Sequence, residues 1–281
     1  MKHKGGGLAL PLALWLGAFL VLPVAFVAIY SLLKRGAYGE VIWTLSLHNY
    51  ARAMDALYLG IFSKSLMLAA LTTCVCMIIG FPLAYTIATA SKTWRSLLLA
   101  GLMVPFLTNF VVRVYAIRVI LGVEGPINHA LMASGLLTEP LMMTDSLFAV
   151  AVGMVTNYLP FMTLPIYVVL EAFDFSLLEA AADLGARGWT ILFKVILPLS
   201  RQGLVSGATL VFIPVLGEYM IPDLLGGART MLLGNLITEQ FLKARDWPFG
   251  AAVAMILILA MLGSFAVQRA LAGKGATLAQ A

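Results

Sequence analysis

Long runs of apolar residues, separated by shorter polar stretches, dominate the pattern of this chain. The first run lacks any charged residue, and the six runs together cover residues 8–33, 65–90, a stretch from residue 97, 145–170, 203–221 and 249–267. An α-helix needs about 20 apolar residues to cross about 30 Å of hydrocarbon. The pattern therefore predicts six membrane-spanning helices. Because the apolar core of a signal peptide is only about 7–15 residues long, the first run is interpreted as a retained span.

The polar segments between these runs predict loops at residues 34–64 (external) and 122–144 (with a short helix between Pro126 and Pro140), and residues 222–247 form a further long polar stretch. Prolines within or near the spans predict bent helices, since neighbouring groups must satisfy the backbone atoms that a proline frees. Gly203 and Gly207 form a G-x-x-x-G pattern at the start of the fifth span. This pattern is suited to close packing against a neighbouring helix.

The composition excludes a soluble globular protein. Of the 281 residues, 62% are hydrophobic and 11% charged, whereas globular domains carry roughly 25% charged residues. The net charge of +5 does not come from basic runs with interleaved aromatics, so no nucleic-acid partner is predicted. The predicted fold class is an all-α membrane protein with six transmembrane helices, in contact with the lipid bilayer.

One polar hairpin, residues 176–198, stands out from the apolar background. Ser176 and Glu179 have the spacing of a capping box at the start of a helix, and Gly185 supplies a left-handed stop at its end. Between them, Glu179 and Asp183 share one face, while a narrow apolar face comprises Leu177, Ala180, Ala181 and Leu184. Such a face fits a groove on another protein. The alternative is a helix resting on the membrane surface, which two acidic residues disfavour because anionic lipid repels them.

Catalytic and metal-binding motifs are absent from the sequence. There is no G-x-x-x-x-G-K-[ST] loop to hold ATP phosphates, so an ATPase would have to be another polypeptide. The histidines are isolated, at His3, His48 and His129. Cys74 and Cys76 have a spacing typical of neither a zinc finger nor a redox pair, and they are interpreted as packing residues. We therefore predict no enzyme active site, no metal and no cofactor in this chain.

Charge alone does not orient the chain. If both termini and the hairpin face the cytoplasm, the 18 Lys and Arg residues divide into nine inside and nine outside. The rule that cytoplasmic loops are enriched in Lys and Arg therefore favours neither orientation from the count.

The hairpin resembles the EAA signature of binding-protein-dependent permeases of type I ABC importers. The resemblance runs through Glu179, Ala180, Ala181, Gly185, Val195, Leu197 and Pro198, with Val195 where the family usually has isoleucine. It implies that the hairpin is a cytoplasmic coupling loop. The coupling residues would be Glu179, Ala180, Ala181, Asp183, Leu184 and Gly185.

The same resemblance implies an assembly and a location. The partners would be a second homologous permease, a dimer of ATP-binding subunits that hold ATP and Mg²⁺, and a periplasmic substrate-binding protein. The chain would lie in a bacterial inner membrane with both termini in the cytoplasm. Its implied division is residues 1–60 (first helix and periplasmic loop), 61–269 (transport domain with five helices) and 270–281 (cytoplasmic tail).

Three further segments, residues 104–117, 211–227 and 245–252, resemble the first permease subunits of spermidine/putrescine importers. The similarity runs from about residue 49 to beyond residue 247 and implies a polyamine cargo. Related permeases for other small organic solutes share parts of these segments, so another solute is an alternative. An ATP-independent secondary transporter is a second alternative.

A polycationic cargo calls for carboxylates and aromatic faces along its path. Glu218 is the one acidic residue deep in a predicted span, and ionisable residues in membrane spans are functional candidates. The alternative is a structural ion pair with Arg113 or Arg118. The other path candidates are Tyr219, Asn109, Tyr115, Asn157 and Tyr158 within or beside spans, and Asp223, Asp246 and Trp247 on the outer side. Hydrogen bonding between helices is the alternative role for the polar residues in the spans.

Overall fold

The computed structural model describes residue 11 and residues 14–227 and 230–276, with side chains as far as residue 269. The predicted start of the first span, the basic N-terminus, Arg229 and the last five residues lie outside this part. In order, the first elements are α1 (Leu14–Ser31), β1 (Lys34–Arg35), β2 (Val41–Ile42), α2 (His48–Ala53), α3 (Ala56–Thr89), α4 (Lys92–Leu107), α5 (Phe110–Ile120) and α6 (Pro126–Ala133). Strands β1 and β2 form a small antiparallel hairpin in which Lys34 pairs with Ile42.

The second half of the chain is helical throughout its described elements. These are α7 (Leu147–Glu171), α8 (Ser176–Asp183), α9 (Gly188–Leu199), α10 (Arg201–Gly217), α11 (Met220–Leu225), α12 (Leu233–Leu242) and α13 (Trp247–Ala276). In the described residues, four continuous helices are long and apolar enough to cross a membrane: α1, α3, α7 and α13. Two bent pairs, α4 with α5 and α9 with α10, bring the number to six when each pair is counted as one span.

Helices α3, α7 and α10 pack together and form the core of the bundle. Glycines allow the close approach of α10 to α7: a Cβ atom on Gly203 would lie 2.8 Å from the carbonyl oxygen of Pro165, and one on Gly207 would lie 2.9 Å from that of Met162. Without a hydrophobic force between helices in lipid, such close van der Waals packing is a main source of their association. The packing role predicted for the G-x-x-x-G pattern is confirmed.

Two of the polar segments contain helices. Residues 34–64 hold α2 and the beginning of α3, which is 34 residues long, and the polar segment 222–247 holds part of α11 and all of α12. At 1.5 Å per residue α3 is about 50 Å long, well beyond the hydrocarbon layer. Polarity therefore marks where the chain leaves the apolar layer and not where the helix ends. The short helix predicted after Pro126 is confirmed as α6.

Two spans are interrupted inside the apolar region. Helices α4 and α5 meet at an angle of 96° across residues 108 and 109, and the fifth span stops at Gly217 before α11 resumes at Met220. The fifth span, predicted over residues 203–221, therefore consists of α10 and a break at residues 218 and 219 that the apolar pattern did not indicate. A second bend, of 67° at Ser200, separates α9 from α10.

Candidate substrate path and coupling surface

The break in the third span is satisfied by two of its own side chains. Asn109 Oδ1 accepts hydrogen bonds from the backbone N–H groups of Val111, at 2.9 Å, and Val112, at 3.4 Å, at the start of α5. Arg113 Nη1 donates to the backbone carbonyl oxygens of Pro105 and Phe106, both at 3.0 Å, at the end of α4. Because an unsatisfied peptide group in lipid costs several kcal/mol, these contacts permit a sharp bend at this depth.

The break in the fifth span is centred on Glu218. Its Oε1 atom accepts a hydrogen bond of 3.0 Å from the backbone N–H of Met220, at the start of α11. Its Oε2 atom accepts one of 2.6 Å from the hydroxyl of Tyr158 on α7. The backbone carbonyl of Tyr219 accepts from Asn235 Nδ2 at 2.9 Å, so α12 also supports the break.

Two consecutive residues of α7 thus contact both breaks. Tyr158 binds Glu218, and Asn157 Oδ1 accepts a 2.6 Å hydrogen bond from Arg113 Nε. Asn157 is almost fully buried and donates in turn to the carbonyl of Gly153 at 2.7 Å. Interrupted helices near the bilayer midplane, with exposed helix ends and carbonyls, commonly form the sites of membrane transporters. This cluster of Asn109, Arg113, Asn157, Tyr158 and Glu218 is therefore the candidate path site, and we refer to it as the break cluster.

In the described residues Glu218 does not pair with Arg113 or Arg118, the alternative role that the sequence left open. Arg113 is engaged by Asn157 and the end of α4, and Arg118 donates to the carbonyl of Leu224 and to Asp145 Oδ1, the latter at 3.3 Å. In the part of the chain that the structure describes, the side-chain partner of Glu218 is the neutral hydroxyl of Tyr158. Of the other candidates, Asn109 and Asn157 stabilise the breaks, and Tyr115 lies about half exposed on α5.

Asp246, a path candidate on the outer side, is buried. Its Oδ2 atom lies 2.7 Å from Arg52 Nη1 and 3.8 Å from Arg35 Nη1, and its Oδ1 atom accepts from the backbone N–H of Phe249 at 3.2 Å, in the first turn of α13. The Arg52 guanidinium also lies 3.9 Å from the centre of the Phe249 ring. Burial lowers the pKa of Arg52, but hydrogen bonds to Asp246 and Tyr58 outweigh it and leave the pKa raised. Asp246 therefore joins the segment after α1 to the last span, a position that does not fit a role in lining the path.

Trp247 also packs against other parts of the bundle. Its ring centre lies 6.2 Å from that of Tyr30 on α1 and 5.8 Å from that of Phe241 on α12. About half of the side chain is exposed. The structure therefore places Trp247 between the first span and α12, where its aromatic partners are not residues of the break cluster.

Tyr219 and Asp223 line a cavity of about 370 Å³ between α11 and α12. The cavity wall on α12 includes Asn235, Glu239 and Lys243. Sequence reasoning missed Asn235 and Glu239, because this segment was taken as an irregular polar stretch. Their spacing of four residues, which places both on one helix face, was the available signal.

Helix α8 of the hairpin ends as predicted but begins differently. Gly185 has a φ of +82°, and the hydrogen bonds Gly185 N–H to Ala182 O, at 2.8 Å, and Ala186 N–H to Ala181 O, at 3.0 Å, form a Schellman motif. The predicted capping box between Ser176 and Glu179 is wrong, because Ser176 already lies in the helix. Asp174 accepts a 3.0 Å hydrogen bond from the Ser176 N–H instead, and its hydrogen bonding to Ser176 lowers the pKa of Asp174.

The hairpin presents an apolar surface to its surroundings. Leu184 is 90% exposed and Leu177 is 49% exposed. Ala180 is also exposed, whereas Ala181 is half-buried. The sequence analysis missed two aromatic residues that follow on α9: Trp189 and Phe193 are largely exposed, with stacked rings 6.0 Å apart. On its other side the hairpin is anchored by Phe175, which contacts Tyr85 of α3 edge to face at 6.4 Å. Large exposed apolar residues around a polar helix are typical of a protein–protein interface.

Among the described residues, no group of three or more His, Cys, Asp and Glu side chains could hold a metal ion. The carboxylates, amides and aromatic rings of the break cluster can contact a solute through hydrogen bonds and charge. The hairpin surface adds a means of contact with another protein.

The interrupted spans, the exposed hairpin and the six-span bundle define a membrane permease. The chain belongs to the family of binding-protein-dependent transport system inner membrane components, whose profile matches residues 76–274. It is therefore the permease component of an ABC importer of the type I fold, in which a separate ATPase subunit hydrolyses ATP. The family places the chain among inner membrane proteins.

Individual comparisons agree with this assignment. The chain is 38% identical over 247 residues to the spermidine/putrescine transport system permease protein PotB of Haemophilus influenzae, covering 88% of this chain and 86% of that protein. It is also 38% identical to PotB of Escherichia coli, covering 88% of this chain and 90% of that protein. Among solved structures, the bacterial alginate ABC transporter in complex with an alginate-pentasaccharide-bound periplasmic protein has a chain that matches with a TM-score of 0.71 at 15% identity, over 93% of this chain and 91% of that one. The structural match supports the fold alone.

Proposed function

We propose that this chain moves a polyamine, spermidine or putrescine, across the inner membrane as the permease subunit of an ATP-driven importer. The observation that carries the cargo is Glu218: a carboxylate at a helix break, hydrogen-bonded to Tyr158 and not paired with an arginine in the described residues. A carboxylate beside aromatic rings suits an alkylammonium ion. The 38% identity to two spermidine/putrescine permeases over 88% of the chain supports the same cargo.

The hairpin couples this movement to ATP hydrolysis. In the proposal, residues 179–185 of α8 and its end dock in a cleft of the ATPase subunit, with Leu177, Leu184 and Trp189 as the exposed apolar contacts. The anchor between Phe175 and Tyr85 then passes the movement of the docked helix to α3. The coupling residues Glu179, Ala180, Ala181, Asp183, Leu184 and Gly185 act as one surface.

The proposed assembly contains a second homologous permease, two ATP-binding subunits and a periplasmic binding protein that delivers the cargo. ATP and Mg²⁺ are held by the ATP-binding subunits, and this chain carries no cofactor. Because the hairpin faces the ATPase, both termini lie in the cytoplasm. The family description as a binding-protein-dependent system supports the delivery step.

The cargo is tested by reconstituting the complete complex in proteoliposomes and measuring ATP-dependent uptake over a panel of labelled solutes. We expect uptake of spermidine or putrescine when ATP and the loaded binding protein are both present. Uptake of a different small organic solute, with none of either polyamine, would show that the fold is right and the proposed cargo wrong.

The role of Glu218 is tested separately with Glu218→Gln. The variant keeps the shape and one hydrogen-bond acceptor but removes the negative charge, so we expect polyamine uptake to fall at least tenfold. Glu139→Gln, at an exposed loop position, is the matched control. Unchanged uptake by the Glu218 variant would reduce this residue to a structural cap of α11.

The docking role is tested with Glu179→Lys, which reverses the charge of an exposed residue on α8. We expect ATP hydrolysis to become independent of the loaded binding protein while uptake is lost. If Glu179→Lys takes up the cargo as fast as the wild type does, the docking role of that face is contradicted.

A further inference from the structure

We propose that the cavity between α11 and α12 binds an aliphatic ammonium group before it reaches Glu218, with Asp223 and Glu239 as its anionic ligands. This inference rests on the proposed polyamine cargo and adds a second site to it. The two carboxylates approach from different elements, Asp223 from α11 and Glu239 from α12, and both line the same cavity of about 370 Å³. That volume lies within the range of small-molecule sites, about 300–1,000 Å³.

The lining of the cavity is complementary to a donor with an apolar stem. Asp223 and Glu239 offer only acceptor oxygens when ionised, and Tyr219 adds an aromatic ring, a favourable partner for a cation. A primary ammonium carries three donors and no acceptor. Among the described lining residues these two carboxylates face a single cationic side chain, that of Lys243, so the walls match an ammonium ion better than an anion.

Asn235 supplies an independent indication of a missing donor. Its Nδ2 atom donates to the carbonyl of Tyr219 at 2.9 Å, and this bond fixes which end of the amide is oxygen. Its Oδ1 atom is buried with no hydrogen-bond donor among the residues that the structure describes, which exclude 228 and 229. Asn235 also lines the cavity. A buried acceptor without a donor is unfavourable by about 1–3 kcal/mol, and in the proposal this side chain turns its oxygen toward the cavity when an ammonium ion binds there.

The cavity is connected to the break cluster through the backbone. Tyr219 lines the cavity and directly follows Glu218 in the chain. The carbonyl that Asn235 holds belongs to the same break in the fifth span. In the proposal, a flexible cation with two or more amines passes from Asp223 and Glu239 to Glu218 by exchanging one carboxylate for the next.

Lys243 gives the site an internal competitor. It is exposed, lines the same cavity and follows Glu239 by four residues on the end of α12. Glu and Lys at this spacing attract each other on a helix surface. The Lys243 ammonium therefore competes with the cargo for Glu239. Loss of Glu239 should weaken binding of the cargo, and loss of Lys243 should strengthen it.

The test is equilibrium binding of labelled spermidine to the purified complex of this chain with its permease and ATPase partners, in the absence of the binding protein. Loss of one carboxylate from a partly solvated site should weaken binding about three- to tenfold, in Asp223→Asn and in Glu239→Gln. Lys243→Gln should tighten it about two- to threefold. Glu139→Gln, an exposed acid in another loop, should bind within twofold of wild type, and the elution profile of each complex checks assembly.

The outcomes separate this site from the proposed cargo. The wild-type complex could import spermidine while the Asp223 and Glu239 variants bind it as tightly as Glu139→Gln does. That result would overturn the site and leave the proposed function standing. Weaker binding by the Lys243 variant overturns the site as well. Wild-type complex that imports neither spermidine nor putrescine overturns the proposed cargo, and this site with it.

Discussion

Tyr158 and Glu218 are 60 residues apart in the chain and meet through a 2.6 Å hydrogen bond between the Tyr158 hydroxyl and Glu218 Oε2. The bond joins the middle of a continuous span, α7, to the break in the fifth span. Asn157, the residue before Tyr158, holds Arg113 of the other broken span. One turn of α7 therefore fixes the positions of both breaks, and movement of α7 relative to either span has to change these contacts.

The Tyr158–Glu218 bond should show strong energetic coupling. Tyr158→Phe leaves the ring but removes the donor, and hydrogen bonds to charged groups contribute about 1.5–3 kcal/mol. We expect Tyr158→Phe and Glu218→Ala, which removes the acceptor, to lower stability by less together than the sum of their separate effects, with a coupling energy above about 1 kcal/mol. The measurement is a double-mutant cycle on unfolding in detergent. Additive effects would contradict a direct bond.

The buried pair of Asp246 and Arg52 should be a main tie between the N-terminal segment and α13. Asp246→Ala leaves Arg52 without its closest carboxylate, and breaking a buried pair costs about 3–5 kcal/mol, which we reduce to about 2 because the Arg52 side chain is 34% exposed. The midpoint of thermal unfolding checks this. Arg35→Ala is the matched comparison: its 3.8 Å contact to the same carboxylate is longer and its side chain is 43% exposed, so an effect below about 1 kcal/mol is expected.

Gly185 should be sensitive to its backbone conformation and not to the size of a side chain. No atom lies within 4 Å of a Cβ built there, but its φ is +82°, and an L-residue in the left-handed region is disfavoured by about 1–2 kcal/mol. Uptake should therefore fall more in Gly185→Ala than in Gly185→Asn, since asparagine tolerates this conformation better. Gly188→Ala, in the same hairpin with equal space and without a positive φ, should transport normally. Equal loss at both glycines would point to side-chain bulk in the interface.

Gly203 should be intolerant of any side chain for the opposite reason. Its Cβ would lie 2.8 Å from the Pro165 carbonyl oxygen and 2.9 Å from the Cα atom of Ile166, so α10 has to move away from α7. Forcing extra atoms into a packed core costs about 1–3 kcal/mol. We expect Gly203→Ala to lower the thermal midpoint by several degrees. Gly101→Ala on α4, where the space is open, should have no destabilising effect.

Local features were predictable because their causes are local. The span positions followed from apolar runs of sufficient length, and the end of α8 followed from the single residue that adopts positive φ without strain, Gly185. The start of α8 was less predictable, since Asp174 and Ser176 are both good helix-capping types and only the backbone shows that Asp174 accepts the bond. The proposal that the hairpin is a coupling surface rests on its motif spacing.

The sequence by itself determined the class of molecule: six apolar spans, a polar hairpin with a glycine stop, and a lone acidic residue deep in the fifth span. Only the tertiary structure decided the partners of the charged residues. Arg113 bonds Asn157 across 44 residues, Glu218 takes Tyr158 in place of an arginine, and Asp246 is buried against Arg52 across 194 residues. These choices depend on which helices lie side by side and where they break, and hydrophobic periodicity carries no information about contacts between distant segments.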